Sequence, residues 1–319
     1  MALIWVATSI ADLAFVGGCA SDTNSDAKSP LVLESISGNA TQGRSPAWEP
    51  MVDMWYSQHL RKWSGSGSAS SNFITFYNAA MEPLFGLSIL GSTLSVRIYR
   101  GGAWSVLTSG DGASYNPRAR FDMHVVIGEE GRFELWNDAL KVIDFTGDTR
   151  PTALGGVAQV SFNTSGGGPG LHSAIMVADE STRMLEMYQR NPWTSGDKTE
   201  WTGTISNVTK IGINDSTVLS ATAADLETMM LFNAIPTGFG PRDYVDVILA
   251  GRAQSAGSPG VDTLARINYV PGDTFYKDVV PDPGPVFGPF QSHFPVNPKT
   301  GLPWRGTDMA DTQWGVRST

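Results

Sequence analysis

The sequence is poor in the features that would make its function easy to read. Cysteine is nearly absent, with Cys19 alone in 319 residues, so no internal disulfide can form and stability must come from packing and association. Charge is sparse at 17% and leans negative, with 22 Lys and Arg against 31 Asp and Glu, a formal net charge of −9. Non-specific affinity for nucleic acid depends on cations that neutralise phosphates, so this balance excludes direct DNA or RNA contact as an expected role. No window approaches the ~20 apolar residues needed to cross a bilayer, and no membrane insertion is expected. Leu13 to Cys19, LAFVGGC, superficially resembles the end of a lipoprotein signal, but no Lys or Arg precedes it and Asp12 interrupts it. An ordinary early strand with a buried thiol is the expectation there.

Catalytic and ligating patterns are also missing. The 4 histidines, His59, His124, His172 and His293, are scattered and show no metal-pair spacing. Glu129 and Glu130 fall in a turn and Glu134 lacks a carboxylate two residues away, so local geometry sets up no glycosidase pair. No GxSxG elbow precedes a helix. The run Ser165 to Gly170, SGGGPG, is followed by no P-loop lysine and reads as a turn. Asn137, Asp138, Asp144 and Asp148 could offer oxygens to calcium, but turn chemistry accounts for them without an ion. The expectation is a protein that is not an enzyme, with no cofactor and no metal.

What the sequence does have is turn chemistry between short alternating runs. It holds 35 glycines and 19 prolines. From Arg118 to Arg150 three strand-like segments follow one another: Phe121, Met123, Val125 and Ile127 share one face, and Phe133 and Leu135 resume it. Val142 to Phe145 return after an Asn137-Asp138 turn. Strands are also expected at Ala2 to Ala7, Met51 to Lys62, Phe73 to Asn78, Pro83 to Leu90, Thr93 to Tyr99, Val157 to Phe162, Leu171 to Ala178 and LEMYQ after Met184. Spacing of about ten residues between them is the mark of a β-sandwich. Beyond Asn191-Pro192-Trp193 the character changes, and Ala224 to Pro236, Tyr244 to Gln254, Leu264 to Tyr269 and Asp311 to Val316 supply further strands. Proline confines Pro281 to Pro298 to a sheet edge at most. The layout expected is all-β: a jelly-roll sandwich over 1–190, a connecting arm over 191–223, and a smaller β-sandwich over 224–319 with an extended Pro-rich segment at 281–304. Trp104, Tyr115 and Trp193 are the candidates for stacking on sugar rings if exposed, although most of the 10 tryptophans must be core or interface anchors.

The Arg118 to Arg150 meander resembles the short hairpins of concanavalin A-like (laminin G-like) jelly rolls. The run Asn297-Pro298-Lys299-Thr300-Gly301-Leu302-Pro303-Trp304, followed by Gln313-Trp314-Gly315-Val316-Arg317, resembles the ending of many virion proteins of tailed phages. Thr199-Glu200-Trp201-Thr202-Gly203, the strand Tyr244 to Gln254 and the opening Ala2-Leu3-Ile4-Trp5 are similar to segments of the same proteins. Two departures stand out: Ile10-Ala11-Asp12 lies where those proteins carry Asp-Gly-Phe-Asp, and Gly203 replaces a proline. The resemblance implies a structural component of a tailed-phage particle, such as a tail appendage or tail-tip protein, assembled in the host cytoplasm and working in the extracellular virion. It implies docking onto other virion proteins, a homo-oligomer with a trimer as the guess, and attachment to a host cell-surface glycan. The alternatives are a carbohydrate-binding lectin-like module and a capsid decoration protein.

Overall fold

Alternation with a period of two commits a strand to bury one face and leave the other outside. In the computed structural model this happens twice over in the first part of the chain. Residues 2–7, 12–17, 31–34, 42–63, 72–90, 93–111, 118–163, 169–183, 185, 187, 190, 192–208, 215–232, 243–244, 246–255, 261–267, 274–280, 285–310 and 312–319 are described. The chain divides into two units, Met1–Tyr188 and Gln189–Thr319. No helix among the described residues is long and apolar enough to cross a membrane.

The strands of the first unit are β1 (Leu3–Ala7), β2 (Phe15–Gly17), β3 (Leu31–Glu34), β4 (Gln42–Arg44), β5 (Asp53–Trp63), β6 (Ile74–Tyr77) and β7 (Pro83–Leu90). They continue with β8 (Thr93–Arg100), β9 (Ala103–Asp111), β10 (Arg118–Val126), β11 (Gly131–Asn137), β12 (Leu140–Gly147), β13 (Gln159–Asn163) and β14 (Pro169–Ala178). The first sheet runs β1-β14-β5-β10-β11-β12, with β3 also on β14; the second runs β2-β4-β13-β6-β7-β8-β9. The unit is a jelly-roll sandwich. The meander β10-β11-β12 forms one end of the first sheet, with β12 at the edge. Asp138, at a φ of 52°, closes its second turn by taking the left-handed geometry that Asp tolerates. Cys19, residues 165–168 of the Ser165 to Gly170 run and most of LEMYQ lie outside the described residues, while Pro169 and Gly170, expected in the turn, open β14. Leu185, where LEMYQ begins, is not in a strand: its carbonyl accepts a hydrogen bond from the Arg120 guanidinium instead of joining a ladder.

The core fills the space between the two inner faces. Met54 and Tyr56 of β5, Phe121, Met123 and Val125 of β10, and Phe133 and Leu135 of β11 meet Ile74, Phe76, Phe85, Leu94, Val96 and Phe162 of the other sheet. Tyr56 and Phe76 meet edge to face at 5.4 Å, and Phe85 and Phe133 lie 6.1 Å apart, each pair joining the two sheets. Aromatic side chains of this size, fully buried, carry the largest single contributions to such a core, and truncation of one to alanine costs about 3–5 kcal/mol.

The second unit holds β15 (Pro192–Thr199), β16 (Glu227–Phe232), β17 (Asp243–Tyr244), β18 (Val247–Ala253), β19 (Val261–Ile267) and β20 (Thr274–Val280). It ends with β21 (Gly288–Phe294), β22 (Trp304–Arg305), the short helix α1 (Gly306–Ala310) and β23 (Thr312–Ser318). Its main sheet runs β15-β16-β23-β19-β20, beside the two-stranded ribbons β17-β22 and β18-β21. β15 lies within the stretch read as a connecting arm and forms an edge of this sheet. The proline-rich stretch contributes β21, which among the described residues pairs with β18 alone, as its composition favours. Trp304, Trp314, Phe294, Leu249 and Met309 form the unit's core.

One polar group sits in the middle of the first core. Tyr56 Oη and His172 Nδ1 both donate to Gln58 Oε1, at 2.9 and 3.0 Å. A carbonyl oxygen only accepts, so the imidazole carries its hydrogen on Nδ1. Burial lowers the His172 pKa from 6.5 to about 3, against the opposing pull of a backbone contact at Asn163. Below pH 6.5 the unfolded chain takes up a proton that the folded chain refuses until about pH 3, so stability falls as pH falls through that window. The expected slope from this group is about 1.4 kcal/mol per pH unit. Urea midpoints of the wild type and His172→Phe, measured between pH 7 and 4, are expected to show the slope shrinking by that amount in the variant.

Candidate functional site

Burying the inner faces leaves two outer faces, and the sequence treats them differently. On the first sheet, antiparallel register sets Trp55 of β5, His124 of β10, Glu134 of β11 and Asp144 of β12 in one cross-strand row. His124 lies between two acids, with Nε2 2.9 Å from Asp53 and Nδ1 3.0 Å from Glu134. Carboxylates only accept, so both bonds are made together only by the doubly protonated ring. Lys141 Nζ donates to Glu134 Oε1 at 2.5 Å and to Asp144 at 3.2 Å. Burial raises the Glu134 pKa, but the hydrogen bonds from Lys141 and His124 outweigh it and hold the carboxyl below its usual value. The same bond to Glu134 raises Lys141.

Aromatic rings brace this network. Trp55 stacks on His124 at 4.4 Å and on Trp136 at 5.5 Å, while Lys141 and Arg183 cover the Trp136 ring at 5.0 and 4.6 Å. The segment after β14 crosses the same face. Thr182 donates to Asp122 at 2.9 Å, and the Arg120 guanidinium holds Asp122 together with the carbonyls of Thr182 and Leu185. Within this row each acid faces a cation of the chain, and the aromatic faces are taken up by neighbouring rings and cations.

The second sheet's outer face is built otherwise. One row runs Arg44, Ser161, Thr75, Gly86 and Arg97 across β4, β13, β6, β7 and β8. Another runs Ser88, Ser95 and Ser109, the last two 2.9 Å apart at their hydroxyls. The Asn72 side chain lies over Gly86, its amide nitrogen 2.2 Å from where a Cβ would stand, so a larger residue there would have to displace it. At the β4 end a pocket of ≈ 200 Å³ opens, lined by Gln42, Arg44, Tyr77, Met81 and Ser161. Ser161 Oγ donates to the Tyr77 hydroxyl at 3.4 Å, and Arg44 reaches the Met81 sulfur at 3.8 Å. Met81 is held at a φ of 64°, a left-handed geometry unusual for this side chain. Asn78 sustains that turn: its Oδ1 accepts from Ala80 and Glu82 at 3.0 and 2.9 Å, and its amide donates to the Leu154 carbonyl at 3.1 Å.

Of the residues singled out in the sequence, Trp104 sits on this same face, half-buried, edge to face with Tyr99 at 5.2 Å and under Arg97 at 5.7 Å. Tyr115 lies outside the described residues. Trp193 belongs to the second unit, on β15, and is 74% exposed. Trp104 is not among the residues that line the pocket. Tyr77, Arg44 and Ser161 went unnoticed in the sequence because three separate strands supply them; the one local signal was the polar half of the alternation in Ile74-Thr75-Phe76-Tyr77. The acids weighed as calcium ligands have other partners: Asp138 accepts from the Arg120 backbone, Asp144 faces Lys141, and Asp148 faces Arg150 and Arg100. Among the described residues no three His, Cys, Asp or Glu side chains are arranged to hold a metal ion.

No family model matches the chain, and no curated protein matches it either. Solved structures do. An endo-β-1,4-glucuronan lyase from the fungus Trichoderma reesei matches at TM-score 0.37 and 12% identity, over 54% of this chain and 93% of that one. A human galectin-16 variant matches at 0.32 and 12%, over 46% and 99%. A carbohydrate esterase of the Shiga toxin-encoding bacteriophage phi24B matches at 0.31 and 12%, over 52% and 90%. These neighbours are jelly rolls that include carbohydrate-binding proteins and enzymes. The expectation that the chain is not an enzyme is corrected on this point, since a lyase and an esterase stand among the matches. It rested on the absence of local motifs, and a sheet assembles acids, histidines and lysines across strands, as the row around His124 demonstrates.

The His124 row carries a stability consequence. Glu134→Gln keeps the shape but removes the charge that Lys141 and His124 share, and is expected to cost about 1–3 kcal/mol in urea unfolding at pH 7. Because the Glu134 pKa is lowered, its contribution is present above the ordinary carboxylate range and fades as pH falls through the lowered value. Wild type and variant are therefore expected to converge in stability toward acid pH.

Proposed function

We propose that the chain is a component of a tailed-phage particle whose first unit attaches to carbohydrate through the outer face of the second sheet. The observation that carries the carbohydrate half is the pocket lined by Gln42, Arg44, Tyr77, Met81 and Ser161. A sugar ring offers an apolar face and a rim of hydroxyls. It is held by an aromatic side chain with a few placed polar groups, and this lining supplies both. The face does not stop at the pocket. Trp104 with Tyr99 and Arg97 offers a second aromatic station on β8 and β9, five strand steps from β4. At ~4.8 Å per step that is about 24 Å, room for several sugar units of a polymer.

The particle half is supported by the sequence resemblance at residues 199–203, 244–254, 297–304 and 313–317. In this reading the second unit docks onto other virion proteins, with the exposed Trp193 as an anchor of the kind protein interfaces favour. A homo-oligomer, a trimer as the working stoichiometry, would multiply weak single-site contacts with a host cell-surface glycan into avidity.

Two measurements test the proposal. Mass spectrometry of purified particles is expected to find the chain at a fixed stoichiometry, and its absence there would remove the particle half. Affinity electrophoresis of the full chain through host-surface polysaccharide is expected to show retardation, at least about tenfold weaker in Tyr77→Ala and more modestly weakened in Trp104→Ala. Unretarded wild-type protein would remove the carbohydrate half.

A further inference from the structure

Hairpin turns that need left-handed backbone normally receive glycine, asparagine or aspartate. The chain follows that rule at two hairpins of the first unit: β8 and β9 are joined through Gly101 and Gly102, at φ of 58° and 80°, and β11 and β12 through Asp138 at 52°. The β6–β7 turn departs from it. Its left-handed position, at a φ of 64°, is held by Met81. A long apolar side chain forms no local hydrogen bond that would favour this geometry, so the backbone bears a cost that glycine would remove.

The turn enforces the geometry all the same. The Met81 N–H donates to the Asn78 carbonyl, and the Asn78 N–H to the Glu82 carbonyl, each at 3.1 Å. The Asn78 amide gives one bond to Glu82 Oε2 at 2.8 Å and another to the Leu154 carbonyl at 3.1 Å. The result is a thioether placed in the pocket wall. Met81 lines the pocket beside Tyr77 and remains 36% exposed. The Arg44 guanidinium reaches its sulfur at 3.8 Å, but a thioether is a weak acceptor, and this contact offsets little of the backbone cost. A strained residue in a pocket wall points to a side chain that the pocket uses.

A thioether beside a phenol ring makes an apolar wall. A sugar hydroxyl set against it loses water and gains no bond, whereas a methyl group gains burial and contact with a polarisable sulfur. We infer that Met81 makes the pocket select sugars that carry a methyl group, on an N-acetyl substituent or at a deoxy position, over their hydroxylated counterparts. The inference rests on the carbohydrate-binding reading above and adds the class of ligand and the residue that chooses it. The Tyr77 ring takes the apolar face of the sugar, and Met81 takes its methyl.

The test uses the full chain with polyacrylamide conjugates of N-acetylglucosamine, N-acetylgalactosamine, L-fucose and L-rhamnose, each beside its hydroxyl counterpart: glucose, galactose, L-galactose and L-mannose. At least one methyl-bearing conjugate is expected to bind about fivefold tighter than its counterpart, or more. The N-acetyl and deoxy arms tell which source of the methyl the pocket takes. Met81→Gly is expected to raise the urea unfolding midpoint while erasing the preference, and Met81→Leu, which keeps an apolar side chain, to retain part of it. A methionine with only a structural role would not give opposite signs in stability and binding. Equal binding within every pair, a preference that survives in Met81→Gly, or a midpoint that falls in Met81→Gly overturns the inference and leaves the carbohydrate reading standing. Binding to none of the conjugates overturns the inference, and if host polysaccharide is also unbound the carbohydrate reading falls with it.

Discussion

Two sheets must each hide one face, and a pleated strand has only two faces to offer. That constraint sets everything else in the first unit. Once Tyr56, Phe76, Phe85, Phe121, Phe133 and Phe162 are committed to the interior, every second residue on the same strands is committed to the outside. A shift of one residue in register would exchange the two sets. The polar outer rows are therefore the second half of the pattern that builds the core, and their side chains stand on a stiff floor whose positions the buried aromatics determine.

The two outer faces then meet solvent by different means. On the first sheet charge is balanced internally: His124 bridges Asp53 and Glu134, Lys141 bridges Glu134 and Asp144, and Trp55 and Trp136 roof the row. Such a network is ordered but has little left over for a ligand. On the second sheet small hydroxyl side chains alternate with arginines and aromatics. Asn78 shows how the pocket wall is kept in place. Its side chain carries the turn that holds Met81 in left-handed geometry, a conformation that costs about 1–2 kcal/mol and persists where surrounding bonds over-determine it.

Much of this architecture was legible in the residues. The alternation of Phe121 through Ile127 and of Phe133 with Leu135 announced strands, and Asn137-Asp138 announced the turn that Asp138 makes at positive φ. Proline marked the stretch around β21 as peripheral pairing. What the sequence could not display was adjacency between strands distant in the chain. Glu134 looked solitary because its partners, His124 and Lys141, come beside it only through strand pairing, and the second acid on His124, Asp53, lies 71 positions away. Tyr77, Arg44 and Ser161 were missed for the same reason: Ser161 and Tyr77 are 84 positions apart, and pairing of β13 with β6 and β4 alone brings them together.

The residues that carry the phage-protein resemblance have a structural task of their own. In the run Asn297 to Trp304, Asn297 is buried and organises the turn, its carbonyl accepting from Gly301 at 2.8 Å and its side chain from Lys299 at 3.0 Å. Gly301 takes a φ of 69°, which a residue without a Cβ adopts freely. The turn delivers Trp304 into the core of the second unit, where its indole donates to the Phe294 carbonyl at 2.7 Å and packs 5.3 Å from Trp314. The motif is thus a device for closing a small core, and Trp314 of the second half of the motif completes it. A resemblance carried by core-closing residues speaks to how the second unit is built, whereas the carbohydrate contact proposed above lies on the outer face of a sheet in the first unit. Under the proposed function, chains sharing that closing motif are free to differ at Gln42, Arg44 and Tyr77, so a common particle role and divergent glycan preferences would be compatible.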